Sequence, residues 1–136
     1  MLSAVEALKA LEKPLKKNSG SAVLFSTVAV QQGLANHAIV SAAKGAIEGL
    51  TRALAAEYAA SGLRVNCVAP SISESAMAEP MLGKEAMAAA LAKAHPLGRV
   101  GAPDDLAACA AYLLSADSSW VTGQVIGVDG GRAAVA

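Results

Sequence analysis

Three short apolar segments that alternate with helical patterns constrain the fold of this chain more than any other feature of its sequence. The segments are Ala22–Ser26, Leu63–Ala69 and Gln124–Val128. Short continuous apolar runs are typical of strands that are buried on both faces of a sheet. Strands that alternate with helices favour parallel pairing through right-handed crossovers. The sequence therefore predicts an α/β fold with three parallel strands and about four to five helices, in a single domain over residues 1–136.

The helices between these strands are predicted from the spacing of apolar residues and from residues typical of helix ends. A first helix covers about residues 4–16, and Pro14 is expected to kink it or to end it early. A long alanine-rich helix covers about residues 38–60. Two shorter helices are predicted at Lys84–Ala94 and Pro103–Leu114. The later helices supply the crossovers that parallel strands require.

Charge and cysteine content exclude several classes of protein. Eleven Lys and Arg balance eleven Asp and Glu, so the chain lacks the basic surplus with which proteins hold nucleic acid. No apolar run is long enough to cross a bilayer, and the N-terminal segment lacks the apolar centre of a signal peptide. Cys67 and Cys109 lie in apolar surroundings without metal-binding spacing, so we expect free thiols. The sequence thus predicts a cytoplasmic protein without a metal site and without a nucleic-acid or membrane partner.

Several motifs follow one another in an order that carries a family resemblance. They are Ser41–Lys44 at the start of the long helix, Asn66–Pro70 in the second strand, Pro96–Arg99 followed by Gly101–Asp104, and Trp120–Gly131 around the third strand. Together they resemble the C-terminal half of a short-chain dehydrogenase/reductase. The resemblance implies a partial Rossmann-like fold, a relation to NAD(P)-dependent oxidoreductases, and assembly as a dimer or tetramer.

The resemblance identifies Lys44 as the family's catalytic-site lysine. Family members carry a Tyr four residues earlier, and one turn of helix places the phenol beside the ammonium, which lowers the phenol pKa for proton exchange with a carbonyl or alcohol. In this chain Val40 stands at that position, and valine has no proton to give. The family's substrate-orienting Ser corresponds to Thr27, which can still donate a hydrogen bond. Lys44 and Thr27 are therefore assigned as remnants of a catalytic site.

His37 is an alternative proton donor near this position, because its ordinary pKa suits acid–base chemistry. It lies seven residues before Lys44, which corresponds to roughly 10 Å of helical rise against about 6 Å for the family spacing. His37 therefore cannot simply take the place of the missing phenol. Tyr58 and Tyr112 are predicted to be packing residues of helices.

The resemblance also implies the nicotinamide side of a cofactor site. Lys44 corresponds to the lysine that bonds the nicotinamide ribose. The segment that holds the carboxamide corresponds to Pro70, Ser71, Ile72 and Ser75. Ser71 replaces the family's usual Gly and adds a Cβ where the backbone needs room.

The phosphate side of such a site has no counterpart in the sequence. The family receives the pyrophosphate on a glycine-rich turn at a helix N-terminus, and no such turn stands before Ala22. Gly123, Gly127 and Gly130 are spaced glycines, but no helix is predicted after them, so they fail as a dinucleotide motif. We therefore expect no cofactor in the isolated chain, and NAD(P) is implied by the resemblance alone.

A half-length relative of this family has an open sheet edge, since the first strand would normally be covered by a neighbour. We therefore expect a homo-oligomer, with helices about 4–16 and 38–60 as the interface. The principal functional hypothesis is a truncated relative without oxidoreductase activity of its own. Two alternatives stay open: half of an oxidoreductase that is completed by a separate nucleotide-binding chain, and a self-sufficient divergent reductase.

Overall fold

Three strands form one parallel sheet in the computed structural model, which describes residues 2–135. Strand β1 covers Ser21–Phe25, β2 covers Arg64–Pro70, and β3 covers Val125–Val128. The sheet order is β1-β2-β3, and Cys67 of β2 pairs with Leu24 on one side and with Val125 on the other. The predicted α/β, Rossmann-like arrangement of three parallel strands is confirmed.

Five α-helices lie among the described residues, within the predicted range. They are α1 (Leu2–Lys17), α2 (Ala38–Tyr58), α3 (Glu79–Leu82), α4 (Glu85–Lys93) and α5 (Pro103–Leu114). The prediction of an early stop at Pro14 was wrong, because α1 continues to Lys17. The last turn has other bonds to hold it, since Asn18 Nδ2 donates to the Pro14 carbonyl at 2.9 Å and the Gly20 N–H donates to Leu15 O at 2.9 Å.

The core is centred on β2 and on the face of α2 that covers it. Val65, Cys67 and Val68 are fully buried, and Ala55 and Tyr58 of α2 form one apolar cluster with Leu63 and Val65. β1 was expected to be buried on both faces, and this expectation was wrong. Its residues are half-buried or exposed, because within the described residues β1 pairs on one side only and forms the edge of the sheet.

The amino end of β2 is fastened to the loop that precedes β3. The Arg64 guanidinium donates to Leu113 O at 3.0 Å, Ser115 O at 3.0 Å, Ser118 Oγ at 2.8 Å and Val121 O at 3.3 Å. All of these acceptors are neutral, and two are carbonyls at the C-terminus of α5, where the helix dipole favours a cation. Arg64 thereby fixes the position of α5 relative to the sheet.

The two cysteines are free, as expected. Burial raises the pKa of both the Cys67 and the Cys109 thiol, so the uncharged forms are favoured. Within residues 2–135, no helix combines the length and the apolar character that crossing a membrane requires. In the same part of the chain, no cluster of three or more metal-ligating side chains occurs.

Candidate functional site

The first turns of α2 lie beside the carboxyl end of β1. Lys44 Nζ donates to the Phe25 carbonyl at 2.9 Å, and Ser41 Oγ donates to Ala29 O at 2.8 Å. Polar residues outside the carboxyl ends of parallel strands are the usual place for a ligand in such a fold. Lys44 is therefore held beside the carboxyl end of β1, with part of its hydrogen-bonding capacity taken by the Phe25 carbonyl.

Val40 lies four residues before Lys44, and Thr27 lies just after β1. Val40 is in the first turn of α2, one turn before Lys44, so the two residues share a helix face. The Val40 side chain is 40% exposed. Thr27 Oγ1 accepts the Ala29 N–H at 3.3 Å and caps the short 3₁₀ turn over Val28–Val30. That bond uses only a lone pair, so the Thr27 hydroxyl can still donate.

The two tyrosines lie far from Lys44. Tyr58 is fourteen residues further along α2, which corresponds to about 21 Å of helical rise. It is buried, and this burial raises the pKa of its phenol, which is the opposite of the change that proton transfer needs. Tyr112 lies near the C-terminus of α5, next to the Leu113 carbonyl that binds Arg64 at the amino end of β2. Neither tyrosine can act together with Lys44.

His37 occupies the N-cap position of α2 and is exposed. Its Nδ1 lies 2.7 Å from the Ala35 carbonyl, so this nitrogen carries the ring proton in the neutral form. His37 lies three positions before Val40. His37 is therefore placed at the loop–helix junction, as the sequence predicts.

A cavity of about 260 Å³ opens at the carboxyl ends of β2 and β3. Its walls come from the loop after β2, the segment between α4 and α5, and the turn after β3; they include Ser71, Ile72, His95, Arg99, Asp105 and Asp129. Ser71 and Ile72, two of the residues assigned by resemblance to cofactor binding, thus line one cavity directly after Pro70 ends β2. Ser75 does not line it, and its Oγ instead accepts the Ala78 N–H at 3.3 Å before α3.

The deepest polar group of this cavity is His95, which is 3% exposed. Its Nδ1 lies 2.7 Å from the Leu91 carbonyl, and its Nε2 lies 2.8 Å from Ser71 Oγ. The Arg132 guanidinium donates to the same Ser71 oxygen at 3.2 Å. The side chain that stands where the family usually has glycine is therefore accommodated, and it is bonded on two sides.

An ion pair also lines the cavity, at the start of α5. Arg99 and Asp105 form a two-bonded ion pair with N–O distances of 2.6 and 2.9 Å, and Asp105 also accepts the Ala102 N–H at 2.7 Å. The hydrogen bond from Arg99 has the largest effect and that from the Ala102 N–H the next largest, and together they lower the pKa of Asp105 to about 2. The carboxylate thus ties the Pro96–Arg99 segment to the N-terminus of α5, where a negative charge is favourable.

The lowered pKa of Asp105 predicts a specific loss of stability in acid. Its contribution is fully present above the ordinary carboxyl pKa of about 4 and is lost as the pH falls through that value towards about 2. We expect Asp105→Asn to be less stable than the wild type at pH 6, with the difference shrinking between pH 4 and pH 2 in urea titrations. Asp104→Asn, in the same turn, is the control and should keep the pH dependence of the wild type.

Comparison with known proteins decides the family. The model of a family described as enoyl-(acyl carrier protein) reductase matches residues 1–133. The chain belongs to the short-chain dehydrogenase/reductase family. It is 43% identical over 131 residues to a protein of Xanthobacter autotrophicus named inactive 2-(S)-hydroxypropyl-CoM dehydrogenase 2, and the match covers 93% of this chain and 56% of that protein. The chain spans about half the length of the curated relatives that it matches.

Solved structures of short-chain dehydrogenases/reductases share this fold. A family member from Mycobacterium ulcerans superposes with a TM-score of 0.87 at 31% identity, over 93% of this chain and 46% of the other. A gluconate 5-dehydrogenase from Burkholderia cenocepacia, solved in complex with NADP and tartrate, gives 0.85 at 29% identity, over 92% of this chain and 49% of the other.

The described residues do not form a complete dinucleotide site of the short-chain dehydrogenase/reductase type. Within residues 2–135, no strand leads through a glycine-rich turn into a helix: α1 precedes β1, and β3 is followed only by turns. Gly123 and Gly130 have φ values of 71° and 62°, which fits turn positions at the two ends of β3. Lys44 lies beside the carboxyl end of β1, and Ser71 and Ile72 directly follow β2.

Sequence analysis missed His95 and Arg132 as parts of this site. Each is brought to Ser71 by the fold, across 24 and 61 positions of the chain. The available signal was that His95 directly precedes the Pro96–Arg99 motif.

Proposed function

We propose that residues 1–136 form a short-chain dehydrogenase/reductase module that has no oxidoreductase activity of its own and assembles as a homo-oligomer. The observation that carries the first part is Val40, one turn before Lys44 on the first turns of α2. The reduction of a carbonyl bound beside Lys44 needs a proton from the side chain at this position. The isopropyl group of Val40 has no proton to give. A Xanthobacter relative with 43% identity is itself named inactive, which supports the same interpretation here.

No described side chain takes over the proton transfer in this proposal. Tyr58 lies about 21 Å further along α2, and Tyr112 lies at the opposite end of the sheet, beside the bonding partners of Arg64. His37 is held at the helix N-cap by the Ala35 carbonyl and faces solvent. Lys44 is held in its position by the hydrogen bond that it donates to the Phe25 carbonyl.

The homo-oligomer is proposed to form through α1 and α2. Apolar or small side chains remain exposed on both helices, with Leu11 at 52% on α1 and Gly49 on α2 among them. Apart from the adjacent residues and the backbone of α2 itself, no described atom lies within 4 Å of the place where a Cβ of Gly49 would be, so the middle of α2 is open to close approach. Covering these faces would remove apolar surface from water, which is the main driving force for association.

A second candidate function is half of an oxidoreductase that a separate nucleotide-binding chain completes. The observation that favours it is the outer edge of β1, which pairs with no strand among the described residues. Beside this edge lies an apolar groove of about 360 Å³ between α1, β1 and α5, lined by Leu8, Leu11, Val23 and Leu114 among others. A strand and helix of a partner would fill such a groove by β-augmentation.

Titration with NADPH and NADH tests the proposed lack of activity. We expect no saturable change in nicotinamide fluorescence up to about 1 mM, which corresponds to a binding free energy weaker than about −4 kcal/mol. Lys44→Ala should give the same titration curve as the wild type. Tight binding by the isolated chain that Lys44→Ala abolishes would contradict the proposal. Binding or turnover that appears only after a purified nucleotide-binding half is added would establish the second candidate.

A further inference from the structure

The oxidoreductase site described above gives no role to the hydrogen bond between the Ser71 hydroxyl and the His95 ring. We propose that Ser71 is a nucleophile activated by His95, and that this pair accepts acyl groups from small esters. The proposal is independent of the function proposed above, because it needs neither a nicotinamide cofactor nor a second chain. It rests on the geometry of the two side chains, on their burial and on the cavity beside them.

The hydrogen bonds of His95 fix the form of its ring. The Leu91 carbonyl can only accept, so the Nδ1 atom 2.7 Å away carries the proton. In the neutral ring, Nε2 then presents a lone pair to Ser71 Oγ at 2.8 Å, and the hydroxyl donates to it. This is the arrangement of a nucleophile and its base, with the base in turn oriented by a third group, here a backbone carbonyl.

The surroundings of the pair favour charge on the serine oxygen. His95 is 3% exposed, so solvent does not compete for its lone pair. The Arg132 guanidinium donates to Ser71 Oγ at 3.2 Å and places a positive charge beside the atom that becomes negative during attack. Ser71 itself is only half-buried and lines the 260 Å³ cavity, which has room for a small acyl group.

The backbone N–H of Ile72 is a candidate hydrogen-bond donor to the carbonyl oxygen of the ester, which becomes negative during the attack. Ile72 follows Ser71 directly and lines the same cavity. Its backbone N–H has no acceptor within residues 2–135, whereas the Ile72 carbonyl is occupied by the Gly101 N–H at 3.0 Å. The N–H of the residue after a nucleophile is a common donor to the oxyanion of an acyl-transfer intermediate.

The reaction that this arrangement supports balances with water as the only co-reactant. Ser71 Oγ attacks the ester carbonyl carbon while its proton moves to His95 Nε2. The bond to the leaving alcohol then breaks, and the alcohol oxygen takes the proton back from His95. Water attacks the acyl-serine with His95 again as the base, and a carboxylic acid and free Ser71 are released.

Covalent labelling with phenylmethylsulfonyl fluoride and hydrolysis of p-nitrophenyl acetate test the pair. We expect one sulfonyl group per chain, located on Ser71 by peptide mass spectrometry, and a burst of p-nitrophenol when the ester is added. Ser71→Ala should abolish both signals. Ser73→Ala, two residues away on the same segment, should leave both unchanged. Failure of the folded wild type to take the label, or equal labelling of Ser71→Ala, would overturn the proposal.

The role of His95 is tested with His95→Gln, which keeps a group able to hydrogen-bond to Ser71. We expect labelling to slow about 100-fold, since general-base help is worth about 10² to 10⁴. A folded His95→Gln variant, by circular dichroism, that is labelled at the wild-type rate would overturn the proposal.

A second measurement decides the case if His95→Gln does not fold. The thiol introduced by Ser71→Cys should react with iodoacetamide at a pH midpoint at least about one unit below that of Ser73→Cys, because a neighbouring His stabilises the thiolate. Equal midpoints would overturn the proposal.

Discussion

Replacement of Arg64 by methionine is expected to lower the free energy of unfolding by about 3 kcal/mol, which is a large share of the stability of a small domain. Methionine keeps the apolar stem but removes all donors. All four hydrogen bonds from the charged donor are lost, although the Leu113, Ser115 and Val121 carbonyls keep the bonds that Ser118 Oγ and Asn66 Nδ2 donate to them. A hydrogen bond to a charged group contributes about 1.5 to 3 kcal/mol. The fully buried Ser118 oxygen loses its donor.

Urea unfolding followed by circular dichroism measures this effect. Arg52→Met is the matched control, because the Arg52 side chain is 60% exposed and lies 3.7 Å from a single carboxylate oxygen of Glu48. We expect the control to lose about 0.5 kcal/mol. Equal losses in the two variants would show that the bonds of Arg64 do not hold α5 on the sheet.

Replacement of Gly49 by arginine is expected to dissociate the proposed homo-oligomer, raising its dissociation constant at least about 100-fold, or about 2.7 kcal/mol. The added side chain would project from a part of α2 where no described atom of another element lies within 4 Å of the Cβ position. Arginine forms helix better than glycine, by up to about 1 kcal/mol, so the isolated chain should become no less stable. Loss of assembly would then report on the interface and not on the fold.

Light scattering at micromolar concentration gives the mass of each variant. Gly49→Ala is the steric control and should stay assembled, because a single methyl group still allows close helix approach. Ala108→Arg places the same charge on the exposed face of α5, away from α1 and α2, and should also stay assembled. A monomeric wild type, or an unchanged mass for Gly49→Arg, would contradict an interface centred on α2.

The sequence was sufficient for the strands because apolar continuity is a local property. All three segments lie within one residue of β1, β2 and β3 at each end. The degree of burial was less predictable. β1 is as apolar as β2, but it is more exposed because it lies at the edge of the sheet. A window of five residues does not show where a strand will lie in its sheet. Similarly, the presence of Pro14 predicts the loss of one helical hydrogen bond. It does not predict the side-chain and turn hydrogen bonds that keep the last turn of α1 in place.

The candidate site was likewise predictable from the sequence only in part. The relation between Val40 and Lys44 follows from helical periodicity alone, so the amino-acid sequence is enough to derive it. The relation between Ser71, His95 and Arg132 depends on how three loops meet at the strand ends, and no local pattern predicts that meeting. Ser75 failed to reach the cavity for a related reason, because its hydroxyl is used within its own turn before α3.

The position of β2 in the middle of the sheet affects how the chain can fold during synthesis on the ribosome. Asn66 donates to Val121 O and accepts the Gln124 N–H, and these partners lie 55 and 58 positions later in the chain. During synthesis, the apolar middle strand therefore leaves the ribosome well before the residues that satisfy its second edge. A chain halted before Val121 presents a free strand edge of the kind that aggregates. Completion of β3 is thus the step that covers the second edge of β2, and chaperone contact should be greatest just before it.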